Sequence, residues 1–155
     1  MLNSLQNELT RLGVSCDAPA IIRSHNGITV ARVSNGGESC ILKFFECPEF
    51  LREIEAYRLL GSLGVPTIRV LAHTDSALLL EDLSASPRWR LAEAGDMADC
   101  ELAEQLAEWY VCLHARGREY VRAHGGGLYD ETDAFTRENL ALAREKTDTH
   151  ALPIW

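Results

Sequence analysis

The spacing of apolar residues changes character along the chain near residue 84. Before this point, short apolar runs rich in β-branched and aromatic residues alternate with turn residues, which is typical of β-strands. After it, apolar residues return every three or four positions, as they do along one face of a helix. The chain therefore predicts a mixed region of strands and helices, followed by a helical region.

The same patterns predict the order of the elements. Strands are predicted at 20–24, 28–34, 39–45, 67–74 and 77–83, and helices at 3–13, 48–64, 98–117 and 132–146. The sequences HNG at 25–27 and NGGE at 35–38 predict tight turns between the first three strands, because Asn and Gly tolerate positive φ. These elements together predict an α+β fold.

A lysine lies in the middle of the third predicted strand, SCILKFF. Alternate side chains of a strand share a face, so Lys43 points the same way as Ile41 and Phe45, while the apolar residues between them point the other way. A strand that is apolar on both faces is expected at the centre of a sheet, where a lysine does not serve to protect an edge. Because a buried ammonium is costly without a partner, Lys43 requires one.

The next predicted helix offers a partner in Glu53. At about 100° per residue, Glu53 falls within the stripe that carries Ile54 and Tyr57, whereas Glu55 lies on roughly the opposite side. Glu53 is therefore expected to face the sheet and Glu55 to face solvent. The spacing predicts a Lys43–Glu53 ion pair, and it leaves open whether the pair is functional, a structural salt bridge or a snorkelling lysine.

Composition narrows the partners of the protein. The 155 residues carry a formal net charge of −8, with a pI of about 5.1, and a uniformly acidic chain is a poor nucleic-acid binder. No apolar run is long enough to span a bilayer, so no membrane segment is expected. The five cysteines contain no C-x-x-C pair, which favours free thiols and a cytoplasmic location. No grouping of His and Cys suggests a metal site.

Four segments carry a resemblance to a known family: CILKFF, REIEAYRLLGSLGVPTIRVL, ALLLEDLS and LAEWYVCLHARG. In this order they resemble the N-terminal lobe of protein-kinase-like folds, and more specifically the aminoglycoside phosphotransferase and choline kinase superfamily, over residues 20–116. The resemblance implies an antiparallel sheet of about five strands with one packed helix, followed by an incomplete helical C-terminal lobe. It divides the chain into a nucleotide-binding lobe with a leading helix at 1–83, a hinge or linker at 84–97, and a partial helical lobe at 98–155.

The resemblance also implies how ATP is bound. Lys43 would bridge the α- and β-phosphates, and Glu53 would hold Lys43 in place. The turn that contains Asn26 and Gly27 lies where the family has its phosphate-covering loop. The Lys43–Glu53 pair would lie at the mouth of a cleft under the sheet, beside Glu81 and Leu83.

The hinge of the family would correspond to LLLEDLS. There the backbone carbonyl of Glu81 and the backbone amide of Leu83 would meet the edge of the adenine ring. Backbone groups do this work, so side-chain identity at these two positions says little about it.

The implied activity is an ATP-dependent small-molecule kinase that transfers the γ-phosphate to a hydroxyl of its substrate, with Mg²⁺ expected for the intact enzyme. The family's catalytic loop and metal-binding Asp do not occur before Trp155, so no catalytic residue or metal ligand is assigned, and the coding sequence after Trp155 would be decisive. The alternatives are a non-catalytic kinase-like module that binds nucleotide or a partner, and an unrelated α+β domain with a structural Lys–Glu pair. With an incomplete second lobe, the helix at 98–116 is expected to be only partly buried, or covered by self-association.

Overall fold

A computed structural model describes residues 2–16, 18–125 and 136–147 of the chain. These residues divide into two compact units, 1–124 and 125–155, so the boundary falls inside the segment predicted as a partial helical lobe. The first unit contains, in order, α1 (Leu2–Arg11), β1 (Ala20–His25), β2 (Ile28–Asn35), β3 (Glu38–Phe45), a 3₁₀ turn (Pro48–Phe50), α2 (Arg52–Leu63), β4 (Val70–His73), β5 (Ala77–Glu81), two further 3₁₀ turns (Leu83–Ala85 and Ala94–Ala98) and α3 (Cys100–His124). The second unit contains α4 (Arg137–Thr147).

The five strands form one antiparallel sheet in the order β1-β2-β3-β5-β4. The predicted central position of the third strand is confirmed, because β3 has two strands on each side. Lys43 lies opposite Val30 on β2 and opposite Leu78 on β5. The α+β class and the five-stranded antiparallel sheet are therefore as the sequence predicted.

Helix α2 covers one face of the sheet. Its buried Ile54 packs with Phe45, Leu78 and Leu80 of β3 and β5, and Tyr57 adds to this cluster. Glu55 is exposed, as its position on the helix predicted. The helix ends at Gly64, which adopts a left-handed conformation with φ +64°, as is common after the last turn of a helix.

Helix α1 covers the opposite face, and this corrects the expectation of a single packed helix. Leu5 and Leu9 are 1% and 0% exposed. They pack against a second cluster that includes Leu42, Phe44 and Leu79 of the sheet. Burial of one such leucine contributes about 1.5–3 kcal/mol, so the leading helix is an integral layer of the fold. The sheet is apolar on both faces because it has a helix on each side.

Several predicted boundaries differ from those observed. The fourth strand begins at Val70 rather than 67, although the Arg69 carbonyl still accepts a hydrogen bond from the Glu81 amide of β5 (3.1 Å). The fifth strand ends at Glu81, since Asp82 caps the following 3₁₀ turn. The long helix extends to His124 instead of ending at 117. For the helix predicted at 132–146, residues 132–135 lie outside the described residues, and α4 covers Arg137–Thr147.

Helix α3 lies against the end of α2, through a hydrogen bond from Trp109 Nε1 to the carbonyl of Pro66 (2.6 Å) and a second one from Arg116 to the carbonyl of Leu63. No residue of this helix is fully buried. The spacing of its apolar residues predicts one stripe formed by Leu102, Leu106, Trp109 and Leu113. On this stripe Trp109 is half-buried, but Leu106 remains 56% exposed. The stripe is thus only partly covered, as expected, while self-association through it stays a prediction. Among the residues that the structure describes, every helix is too short or too polar to cross a bilayer.

Candidate functional site

Lys43 and Glu53 form the ion pair that their spacing predicted. Lys43 Nζ lies 2.6 Å from each carboxylate oxygen of Glu53. The two side chains are 25% and 31% exposed, so the pair is sheltered but still reaches solvent. The central strand β3 holds the lysine, and the first turn of α2 holds the glutamate on the sheet side of the helix. Both side chains are therefore fixed by the packing of α2 on the sheet.

The ammonium of Lys43 can contact a further group. An ammonium carries three donors and no acceptor, and the two oxygens of Glu53 occupy two of them. Nζ also lies 5.4 Å from the centre of the Phe45 ring, within the range of a cation–π interaction. Because the side chain is partly exposed, the remaining donor is available to an anionic ligand such as a phosphate.

An apolar surface lies beside Lys43 on the same face of the sheet. Val30 is directly opposite Lys43 on β2, and Ile41 precedes it by two positions on β3. Both side chains are only half-buried, whereas Leu78 and Leu80, which lie under α2, are buried. This surface combines apolar side chains with one cation, which suits a ligand that joins a flat ring to an anion.

The turn between β1 and β2 is a tight two-residue turn, as predicted. Asn26 and Gly27 have φ values of 50° and 72°, the combination required for a type I′ hairpin. The Gly27 carbonyl accepts a hydrogen bond from the amide of Glu46 (2.7 Å), and a side chain at position 27 would overlap Cys47 Sγ. The turn is therefore held against the residues that follow β3, at the end of the sheet nearer to Lys43.

The residues predicted for the adenine edge lie at the end of β5. The Glu81 amide donates to the carbonyl of Arg69 (3.1 Å), and Glu81 Oε1 accepts from the Arg69 amide (2.9 Å). Leu83 is the first residue of the next 3₁₀ turn. The amides that donate hydrogen bonds within this turn are those of Ser84, Ala85 and Ser86. The Leu83 amide therefore has no partner within the turn. This is the donor that the resemblance assigns to the adenine ring.

The residues predicted to bind the phosphates and those predicted to bind the adenine ring lie in different parts of the same sheet. Glu81 pairs with Cys40, which is three residues from Lys43, or roughly 10 Å at about 3.3 Å per residue. Because Glu81 pairs with Cys40, which packs on the α1 side of the sheet, the side chains of Glu81 and Lys43 point to opposite faces. A cavity of about 350 Å³ at this end is lined by Glu81 and does not include the Lys43–Glu53 pair.

One buried carboxylate at this end was not predicted. Asp82 is 5% exposed, and its oxygens accept hydrogen bonds from Arg32 Nε (2.7 Å), Ser39 Oγ (2.6 Å) and Ser84 Oγ (2.7 Å). It also accepts from the Ser84 amide at 3.0 Å. Burial by itself would raise the pKa of Asp82, but these hydrogen bonds outweigh it and hold the pKa well below its usual value.

A local signal for part of this arrangement exists in the sequence. An Asp two residues before a Ser is a common cap at the start of a helical turn, and Asp82 caps Ser84 in this way. The contribution of Arg32 and Ser39 leaves no such signal, because they lie 50 and 43 residues away along the chain.

Neither a scan against protein-family models nor a search of curated proteins found a match for this chain. Within the described ranges there is also no cluster of three or more His, Cys, Asp or Glu side chains able to hold a metal ion. The function is therefore inferred from the geometry of the site.

Proposed function

We propose that this chain is the nucleotide-binding part of an ATP-dependent small-molecule kinase, which transfers the γ-phosphate to a hydroxyl of its substrate. The observation that carries the proposal is the Lys43–Glu53 pair, held at 2.6 Å between the central strand and α2. The α+β fold, the Asn26–Gly27 turn and the position of Leu83 after β5 are consistent with it. All five cysteines are free thiols, which supports a cytosolic location.

Energetics favour a binding role for the pair over a structural one. A partly exposed ion pair contributes about 0–1 kcal/mol to stability. Well-packed apolar residues in place of a buried pair are often neutral or stabilising, and the neighbours of Lys43 across the sheet, Val30 and Leu78, are apolar. A lysine at this position therefore adds little to folding. A charge-assisted bond to a phosphate would use it directly.

The described side chains suit ATP, and none of them is assigned to Mg²⁺. Lys43 offers a donor to the phosphates, and the half-buried Val30 and Ile41 offer an apolar surface to the base. Mg²⁺ is usually bound through one or two carboxylates together with substrate phosphates, and among the residues that the structure describes no group of three or more His, Cys, Asp or Glu side chains could hold a metal ion. No metal-dependent step is derived for these residues.

A nucleotide-binding module that does not transfer phosphate is the second candidate. A chemical argument favours it: a lysine held as Lys43 is can donate to a phosphate by itself, whereas phosphoryl transfer also needs a positioned base. Incubation with ATP and a panel of hydroxyl-bearing small molecules separates the two candidates. Formation of a phosphorylated product with release of ADP supports the kinase, and binding without product supports the module.

Binding itself is tested by titration of the protein with Mg-ATP, followed by amide chemical shifts in an isotope-labelled sample. The wild-type chain is expected to bind, and Lys43→Ala is expected to lose binding by at least about tenfold, or ~1.4 kcal/mol. Glu53→Gln should weaken binding indirectly, because it removes the charged partner that holds Lys43 in place. Its matched control is Glu55→Gln, on the same helix but exposed, which should bind as wild type does. The proposal is wrong if wild type shows no shifts at millimolar Mg-ATP, or if Lys43→Ala binds as tightly as wild type.

A further inference from the structure

The carboxylate of Asp82 joins three separate segments. It accepts from Arg32 on β2, from Ser39 on β3 and from Ser84 in the 3₁₀ turn after β5. Arg32 also donates to Ser84 Oγ through Nη2 (2.8 Å), which closes the cluster. Every partner is a donor, and one carboxylate provides enough lone pairs to accept all of them. We call these four residues the Asp82 cluster.

The segments that the Asp82 cluster joins are those that carry the proposed nucleotide site. β2 carries Val30 and β3 carries Ile41 and Lys43, while the 3₁₀ turn begins at Leu83. Asp82 directly precedes Leu83, and its backbone is extended, with φ −84° and ψ 103°. The side chain that fixes the position of residue 82 therefore also fixes where the Leu83 amide lies relative to Lys43.

The cluster is built for rigidity rather than for ligand binding. Asp82 is buried, and its oxygens are occupied by protein donors. Hydrogen bonds to a charged group are roughly twice as strong as neutral ones, so the turn is held in one position on the sheet. A group of this kind acts on a ligand through the backbone that it holds.

We infer that Asp82 is a positioning residue for the base of the nucleotide, and this inference rests on the proposed function. It holds the turn that carries the Leu83 amide at a fixed distance from the phosphate-binding Lys43. Removal of the carboxylate should impair contacts to the adenine base and leave contacts to the phosphates intact. The two ends of the ligand can therefore be tested separately.

The test uses two probes, adenosine and inorganic tripolyphosphate, with affinities measured by chemical-shift titration well below the unfolding temperature. In Asp82→Asn, an amide nitrogen, which is a donor, takes the place of one of the two accepting oxygens. The cluster therefore loses the hydrogen bonds to that oxygen, while the shape of the side chain is kept. We expect adenosine affinity to fall by about tenfold, or ~1.4 kcal/mol, and tripolyphosphate affinity to stay within about twofold of wild type. Lys43→Ala should show the reverse pattern.

Two further variants keep the test decisive. If Asp82→Asn does not fold, Ser39→Ala removes only the bond to β3 and should show the same selective loss of adenosine affinity. The matched control is Asp96→Asn, because Asp96 also accepts from a backbone amide at the start of a 3₁₀ turn, that of Glu93 (2.7 Å), and pairs with an arginine, Arg90, but it lies in the segment before α3. This variant should change neither affinity.

The outcomes separate this inference from the proposed function. If wild type binds neither probe nor Mg-ATP, the proposed function is wrong and the inference falls with it. If wild type binds both probes, and Asp82→Asn or Ser39→Ala lowers the unfolding temperature without a selective loss of adenosine affinity, the Asp82 cluster is only structural and the proposed function stands.

Discussion

Gly27 allows a sharp test of how the turn between β1 and β2 is held. Its φ of +72° is a conformation in which a side chain is strained, and a Cβ there would also overlap Cys47 Sγ. Gly27→Ala therefore combines two costs, a backbone cost and a steric one. Gly37 is the second glycine of the turn between β2 and β3, with a φ of +90°, and a Cβ added there would meet open space. Gly37→Ala therefore carries only the backbone cost.

The expected losses of stability follow from the backbone cost and the steric cost. A left-handed conformation costs about 1–2 kcal/mol for a residue with a Cβ, and this applies to both variants. Overpacking adds about 1–3 kcal/mol, and this applies only at Gly27. We expect Gly27→Ala to be destabilised by about 2–5 kcal/mol, a large share of the roughly 5–15 kcal/mol that stabilises a domain. Cys47→Ala in the Gly27→Ala background should recover the steric part, because it removes the sulfur.

The assay is equilibrium unfolding in urea, with the slope m compared between variants so that a change in midpoint reports stability. The four proteins wild type, Gly27→Ala, Cys47→Ala and the double variant form a double-mutant cycle. Contacting residues give coupling energies of about 0.5–3 kcal/mol. The reasoning is refuted if Gly27→Ala and Gly37→Ala lose the same stability, or if the coupling energy between positions 27 and 47 is zero.

Two further predictions concern stability. Leu9→Ala should destabilise the protein by about 2–5 kcal/mol in urea unfolding, because Leu9 is fully buried between α1 and the sheet. The control Leu106→Ala, at an exposed position, should change stability by no more than about 0.5 kcal/mol. Equal losses of stability in the two variants would show that α1 does not form a layer of the core. The pKa of Asp82 is lower in the folded protein than its usual value, so its contribution is present above the unfolded pKa of about 3.9 and is lost as the pH falls below it. Between neutral and acid pH, the free energy of unfolding should therefore fall less for Asp82→Asn than for wild type. Equal decreases in the two proteins would contradict the observed hydrogen bonding.

The site shows how far sequence patterns reach. Lys43 and Glu53 could be paired in advance because both belong to regular elements that are close in the chain, and the periods of strand and helix fix which way each side chain points. The same reasoning correctly placed Glu55 in solvent. The Asn26–Gly27 turn was predictable because its conformation depends on the residues of the turn alone.

Sequence patterns alone predicted the succession of strands and helices along the chain, the turns between the first three strands and the Lys43–Glu53 pair. Tertiary structure decided that α1 packs on the face of the sheet opposite α2, and that Asp82 receives hydrogen bonds from Arg32 and Ser39. The amphipathic pattern of α1 indicates that one face must be buried, but not which surface will cover it. The partners of Asp82 come together only when β2, β3 and β5 lie side by side, because polar contacts between residues so distant in the chain depend on strand order and register, which no local spacing records.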